Sequence, residues 1–144
     1  MTSGNTFLIG SSLSEEQRGK AINQMRLGAF DYHHPVRNFL YHIGVANVDD
    51  MFKKVNDEGV QVVCSDDVRS ASQEFLDQWL QLIQDLSSCK EITVDTTMLG
   101  RVRVMNDRSR LDDPWIMSDF KRSVTVMCAL AGRNAKEIIN EMLK

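Results

Sequence analysis

The sequence predicts a mainly α fold: a single compact multi-helix domain with a minor β-hairpin element, α+β being the alternative. Three observations predict it. Helix-start signals recur ahead of apolar runs with helical spacing. One of these runs, residues 68–89, is the longest periodic segment in the chain. The β-prone stretches are few and short. At 144 residues, with 42% apolar and 26% charged residues, the chain has the composition of an ordinary globular domain. That composition excludes a disordered tail, a low-complexity polymer and a membrane-embedded bundle. A chain of this length is expected to bury about two thirds of its unfolded surface, enough to fold without a metal or disulfide staples.

Within the domain 1–144, residues 1–13 read as a flexible N-terminal arm, with Phe7-Leu8-Ile9 as an alternative strand feeding the small-residue turn Gly10-Ser11-Ser12. A strand, a turn and a helix N-terminus can hold a phosphate. Neither Gly-x-x-x-x-Gly-Lys-Ser/Thr nor Gly-x-Gly-x-x-Gly is present, however, and Glu15 and Glu16 would repel an anion. Ser14-Glu15-Glu16-Gln17 instead has the form of a capping box. It starts a helix over about 15–30, with Ala21, Ile22, Met25 and Phe30 facing inward. Pro35 is tolerated in a first helical turn and disfavours helix at His34. The chain should therefore break at 31–34 and resume as a second helix over 35–43. Asn47 and Asp50 cap a third, in which Val48, Met51, Phe52 and Val55 follow helical spacing and Gly59 is the stop.

Residues 60–64 (Val-Gln-Val-Val-Cys) form a single β-prone run. In the helix expected over 68–89, Val68, Phe75, Trp79, Leu82, Leu86 and Cys89 recur in steps of three and four, with one turn skipped near Ala71. Leu76, Leu80 and Ile83 widen the stripe. A stripe this wide on a helix of roughly 33 Å needs cover on more than one flank, which marks it as the central helix of the core. Its run is too short for the sustained heptads of a coiled-coil seam. Ile92-Thr93-Val94 and Arg101-Val102-Arg103-Val104 read as a hairpin, with Val102 and Val104 on one face and the two arginines on the other. Residues 106–114 have loop composition. A helix over 115–131 carries an apolar run from Val124 to Ala131 and ends at Gly132, and a last helix capped by Asn134 and Glu137 turns Ile138, Ile139, Met142 and Leu143 inward.

Cys64, Cys89 and Cys128 are odd in number and form no Cys-x-x-Cys pair, which suits reduced thiols in a cytoplasmic setting. Residues 1–10 lack the basic region of a signal peptide, and no stretch has the apolar length of a membrane span. The expected location is the cytoplasm, or the host cytoplasm for a viral chain, which would read the same way. His33, His34 and His42 lie close to Asp31. In a helix starting at Pro35, His34 and His42 stand about 12 Å apart along the axis, too far to share one ion. The segment reads as a helix–helix corner. No Gly-x-Ser-x-Gly elbow, His-Glu-x-x-His motif or calcium loop is present. No catalytic residue, metal or cofactor is therefore assigned, and the chain is expected not to be an enzyme.

The net charge of −3 hides a division. Residues 1–44 sum to +1, residues 45–100 to −7 and residues 101–144 to +3. Such polarity is either folded away by internal pairing or left as opposite patches that favour head-to-tail association. Arg101, Arg103, Arg108, Arg110, Lys121 and Arg122, with Trp115 and Phe120 interleaved, form a candidate contact for RNA or single-stranded nucleic acid. Asp107, Asp112, Asp113 and Asp119 oppose them. Residues 118–144 have the outline of a helix-turn-helix DNA reader around Gly132-Arg133-Asn134. Arg133, Lys136 and Lys144 are offset there by Glu137 and Glu141, so an ordinary αα-hairpin is the simpler reading.

The leading expectation is a non-enzymatic helical interaction module, an adaptor or self-assembling subunit, aided by eight adaptable methionines. Its candidate interface residues are Phe75, Trp79, Leu82, Leu86, Ile139 and Met142, and its partner is another protein or a second copy. A small nucleoprotein or coat-type subunit holding RNA is the alternative, and a helix-turn-helix protein the second.

Overall fold

Four short strands and six helices follow one another in the described chain: β1 (Thr6–Ile9), α1 (Glu15–Asn23), α2 (Pro35–His42), α3 (Val48–Lys54), β2 (Gln61–Cys64), α4 (Asp66–Ser87), β3 (Glu91–Thr96), β4 (Gly100–Met105), α5 (Pro114–Ala131) and α6 (Ala135–Met142). This computed structural model describes residues 6–10, 12–23, 35–54, 61–87, 91–96, 100–105 and 113–142. The fold is mainly α, with a minor strand component.

Side-chain caps set the helix starts. The Ser14 hydroxyl accepts from the Gln17 amide at 3.1 Å while Gln17 Oε1 accepts from the Ser14 amide at 3.0 Å, so the expected capping box forms. Asn47 accepts from Asp50 N and Asn134 from Glu137 N, satisfying free N–H groups of α3 and α6. The Ser65 hydroxyl accepts from Val68 N. This cap starts α4 at Asp66, two residues earlier than apolar spacing alone placed it. Asp113 accepts from Trp115 N ahead of Pro114, and α5 ends at Gly132 in the left-handed region (φ 71°).

The strands differ from expectation in their pairing. β1 and β2 pair in parallel, Thr6 opposite Gln61 and Ile9 opposite Cys64, with α1 to α3 in the crossover that parallel pairing requires. Residues 6–9 are therefore a strand and not part of a free N-terminal arm. Ser65 N donates to Ile9 O and extends the ladder. β3 and β4 form the expected antiparallel hairpin, Ile92 opposite Val104 and Val94 opposite Val102.

α4 is the central helix, packed against α1, α5, α6 and β3. Val68, Ala71, Phe75, Leu76, Trp79, Leu82 and Ile83 are all buried. The turn that seemed skipped near Ala71 is filled by Ala71 itself and by Ser72, whose buried hydroxyl donates to Val68 O. An aromatic chain ties three helices together. Phe39 of α2 meets Phe75 at 4.6 Å between ring centroids, Phe75 meets Trp79 at 5.7 Å, and Trp79 meets Phe120 of α5 at 5.6 Å, the last two edge to face. Val124, Val126, Met127, Cys128, Leu130 and Ala131 complete the core from α5. Ala21 and Ile22 face inward from α1 as expected, whereas Met25, Phe30, Val55 and Gly59 lie outside the described residues.

Candidate interaction surfaces

The apolar stripe expected to serve a partner is used inside the chain. Phe75, Trp79 and Leu82 are 0%, 1% and 6% exposed, because α5, α1 and α2 already cover them, and they offer nothing to a second molecule. This corrects the interface expectation for those three residues. Ile139 is half-buried against the core, and the side chains of Leu86 and Met142 lie outside the described residues.

Part of the division of charge is taken up by pairs within the fold. Arg18 of α1 donates to Glu74 of α4 through Nε and Nη2, at 3.0 and 2.7 Å. Arg37 of α2 pairs with Asp49, Arg103 of β4 with Glu91 of β3, and Arg133 beyond α5 with Asp77 of α4. Each pair joins a cation from one of the basic thirds to an anion from the acidic middle. All of them reach solvent, so each is worth little in stability.

Of the six expected nucleic-acid contacts, Arg101 and Arg103 are exposed on the hairpin, Lys121 is exposed on α5 and Arg122 is half-buried there. Arg108 and Arg110 lie outside the described residues. Arg103 already answers Glu91, and Arg101 stands opposite Asp95 in the hairpin register. Phe120, expected to interleave with the cations, is 7% exposed and packed edge to face with Trp79, so it is a core residue. Trp115 is the reverse, at 69% exposed. The α5–α6 pair has the expected helix–turn–helix outline, yet Arg133 is held by Asp77 while Lys136, Glu137 and Glu141 are exposed together. Lys144 lies outside the described residues.

The candidates for chemistry are fewer. Asp31, His33 and His34 lie outside the described residues, and His42 is half-buried at the end of α2. Among the described residues no group of three or more His, Cys, Asp or Glu is placed to hold a metal ion. Burial raises the Cys64 thiol, with Arg69 opposing, and the thiol donates to Leu130 O. Cys128 is pushed up to about 11 by burial, against the pull of Arg133. Both shifts move away from a reactive thiolate. No helix among the described residues is long and apolar enough to cross a membrane.

Sequence reasoning missed one surface. The parallel β1–β2 pair packs one face inward, through Ile9, Val62 and Cys64, while Val63 stands 52% exposed on the other beside exposed Gln61. Exposure alternates across 61–64, but the apolar character of both Val62 and Val63 leaves no such alternation in the sequence. No protein-family model matches the chain, and none of the curated proteins or solved structures is detectably similar to it.

Proposed function

We propose that the chain is a non-enzymatic, self-assembling helical interaction module whose contact with a second copy runs through the outward face of the β1–β2 sheet. The observation that carries this reading is Val63, 52% exposed on a two-stranded parallel sheet. Parallel sheets are ordinarily covered on both faces, and two strands are too few to stand alone. Here one face rests on the core, and on the other the described side chains, Gln61 and Val63, are exposed. Apolar area on that face is the kind of surface that subunit contacts remove from water. Association through this face is driven by apolar burial and is insensitive to salt screening.

Multi-angle light scattering at tens of micromolar, in low and high salt, tests the reading. The native chain is expected to show a mass above the monomer at both salts, and Val63→Asp a monomer of unchanged helicity. A native chain that is monomeric throughout overturns it.

A further inference from the structure

We infer that α6 is a detachable strap: it leaves α4 and α5 and melts as one unit beyond the turn 132–134, while the rest of the fold stays closed. The inference is independent of self-association through β2. Its first ground is how the strap is attached. α6 packs against α5 and α4, with Ile138 6% exposed and Ala135 and Ile139 half-buried against the core. Among the described residues, no hydrogen bond or ion pair joins 135–142 to another element. Asn134 accepts from Glu137 N through its side chain and from Ile138 N through its carbonyl, so the cap belongs to the strap itself. A helix of eight residues is marginal alone in water. α6 is therefore helical only while its apolar face is docked.

The second ground is what α6 leaves behind. The last carbonyls of a helix lack intrahelical partners, and orphaning them where they are buried is costly. At the end of α5 they are met from outside α6. Cys64 Sγ donates to Leu130 O at 3.7 Å and Gln73 Nε2 to Ala131 O at 3.2 Å, while Cys128 O accepts from the amides of Gly132 and Arg133. Three side chains of α4, spaced by four and so on one face, hold the turn. The Arg69 guanidinium lies against Gly132, Gln73 reaches Ala131, and Asp77 pairs with Arg133. α5 itself is fixed in the core, with Val124, Val126, Met127 and Leu130 all 0% exposed. Undocking of α6 breaks apolar contacts and leaves the end of α5 satisfied, which makes the turn a boundary between two cooperative units. The Arg133–Asp77 pair is the latch at that boundary. It reaches solvent, so salt weakens it.

Native-state hydrogen exchange of the full chain, followed amide by amide, tests the strap. Amides 139–142 are expected to be protected, yet to exchange at least about tenfold faster than amides 124–130. Their rates should depend little on low urea, the mark of an opening smaller than global unfolding. Val36→Ala, in the core on α2, should speed exchange at 124–130 about tenfold and leave 139–142 unchanged. Asp77→Ala should speed exchange at 139–142 about two- to fivefold at low salt and by less at high salt. The Val63→Asp chain should show the same pattern, which separates the strap from self-association. Exchange at 139–142 that follows 124–130, in its urea dependence or in Val36→Ala, overturns the inference. So does a lack of protection at 139–142 in the native chain, or an Asp77→Ala chain in which their rates are unchanged.

Discussion

Trp79 and Trp115 are the same residue type with opposite roles. Trp79 lies in the middle of α4, edge to face with Phe75 and Phe120, and 1% exposed. Trp115 lies in the first turn of α5, 69% exposed, its backbone N–H donating to the Asp113 cap. The interior indole is buried with its Nε1–H lacking a hydrogen-bond partner, a cost that apolar burial must outweigh. The surface indole leaves most of its area in water, where covering it would be favourable. One tryptophan holds the fold together and the other is available to a ligand.

The largest way to break this comparison is to remove Trp79. Trp79→Ala should destabilise by about 3–5 kcal/mol in urea unfolding, the range for a large aromatic deleted from a packed core. Trp115→Ala should stay within about 0.5 kcal/mol of native. Equal losses would mean that Trp115 packs as Trp79 does.

Smaller effects probe how α5 is held between the two. Gly132 sits at φ +71°, and a Cβ there would lie 2.5 Å from Arg69 Nη1. Gly132→Ala should therefore cost about 1–2 kcal/mol by thermal unfolding. Asp113→Ala removes the cap beneath Trp115 and should cost about 1 kcal/mol.

Cys128, at the far end of the same helix, gives a pH signature. Burial raises its thiol from 9.0 to about 11. As pH rises the unfolded chain loses this proton first, so the thiol favours unfolding progressively between those values and has no effect below them. Cys128→Ala should lose less stability than the native chain between pH 8 and pH 11, compared by urea midpoints at each pH. The smallest effect is expected at Arg133 and Asp77. A double-mutant cycle there should give a coupling below about 1 kcal/mol that fades with salt.

The interior tryptophan was legible in the sequence because α4 repeats its apolar residues every three or four positions around Trp79. The caps at Ser14, Asn47 and Asn134 were legible for a similar reason, since each lies three residues from the amide it serves. Long-range partners were not legible. Thr6 pairs with Gln61 across 55 residues, and nothing local in a four-residue strand encodes its neighbour. The ion pairs of Arg18, Arg103 and Arg133 are likewise products of the fold. Without that tertiary context, the apolar spacing of Phe75 and Leu82 suits an interface as well as a core. A wide apolar stripe shows that cover is needed, but not whether the same chain supplies it. Trp115 stood outside the apolar run 124–131, a signal that it does not belong to the buried face of its helix.

Acrylamide quenching of single-tryptophan chains tests the division of labour between the two indoles most directly. Trp79→Phe leaves Trp115 as the emitter and should quench steeply. Trp115→Phe leaves Trp79, which should quench weakly and emit further to the blue. Equal quenching of the two chains would contradict the account.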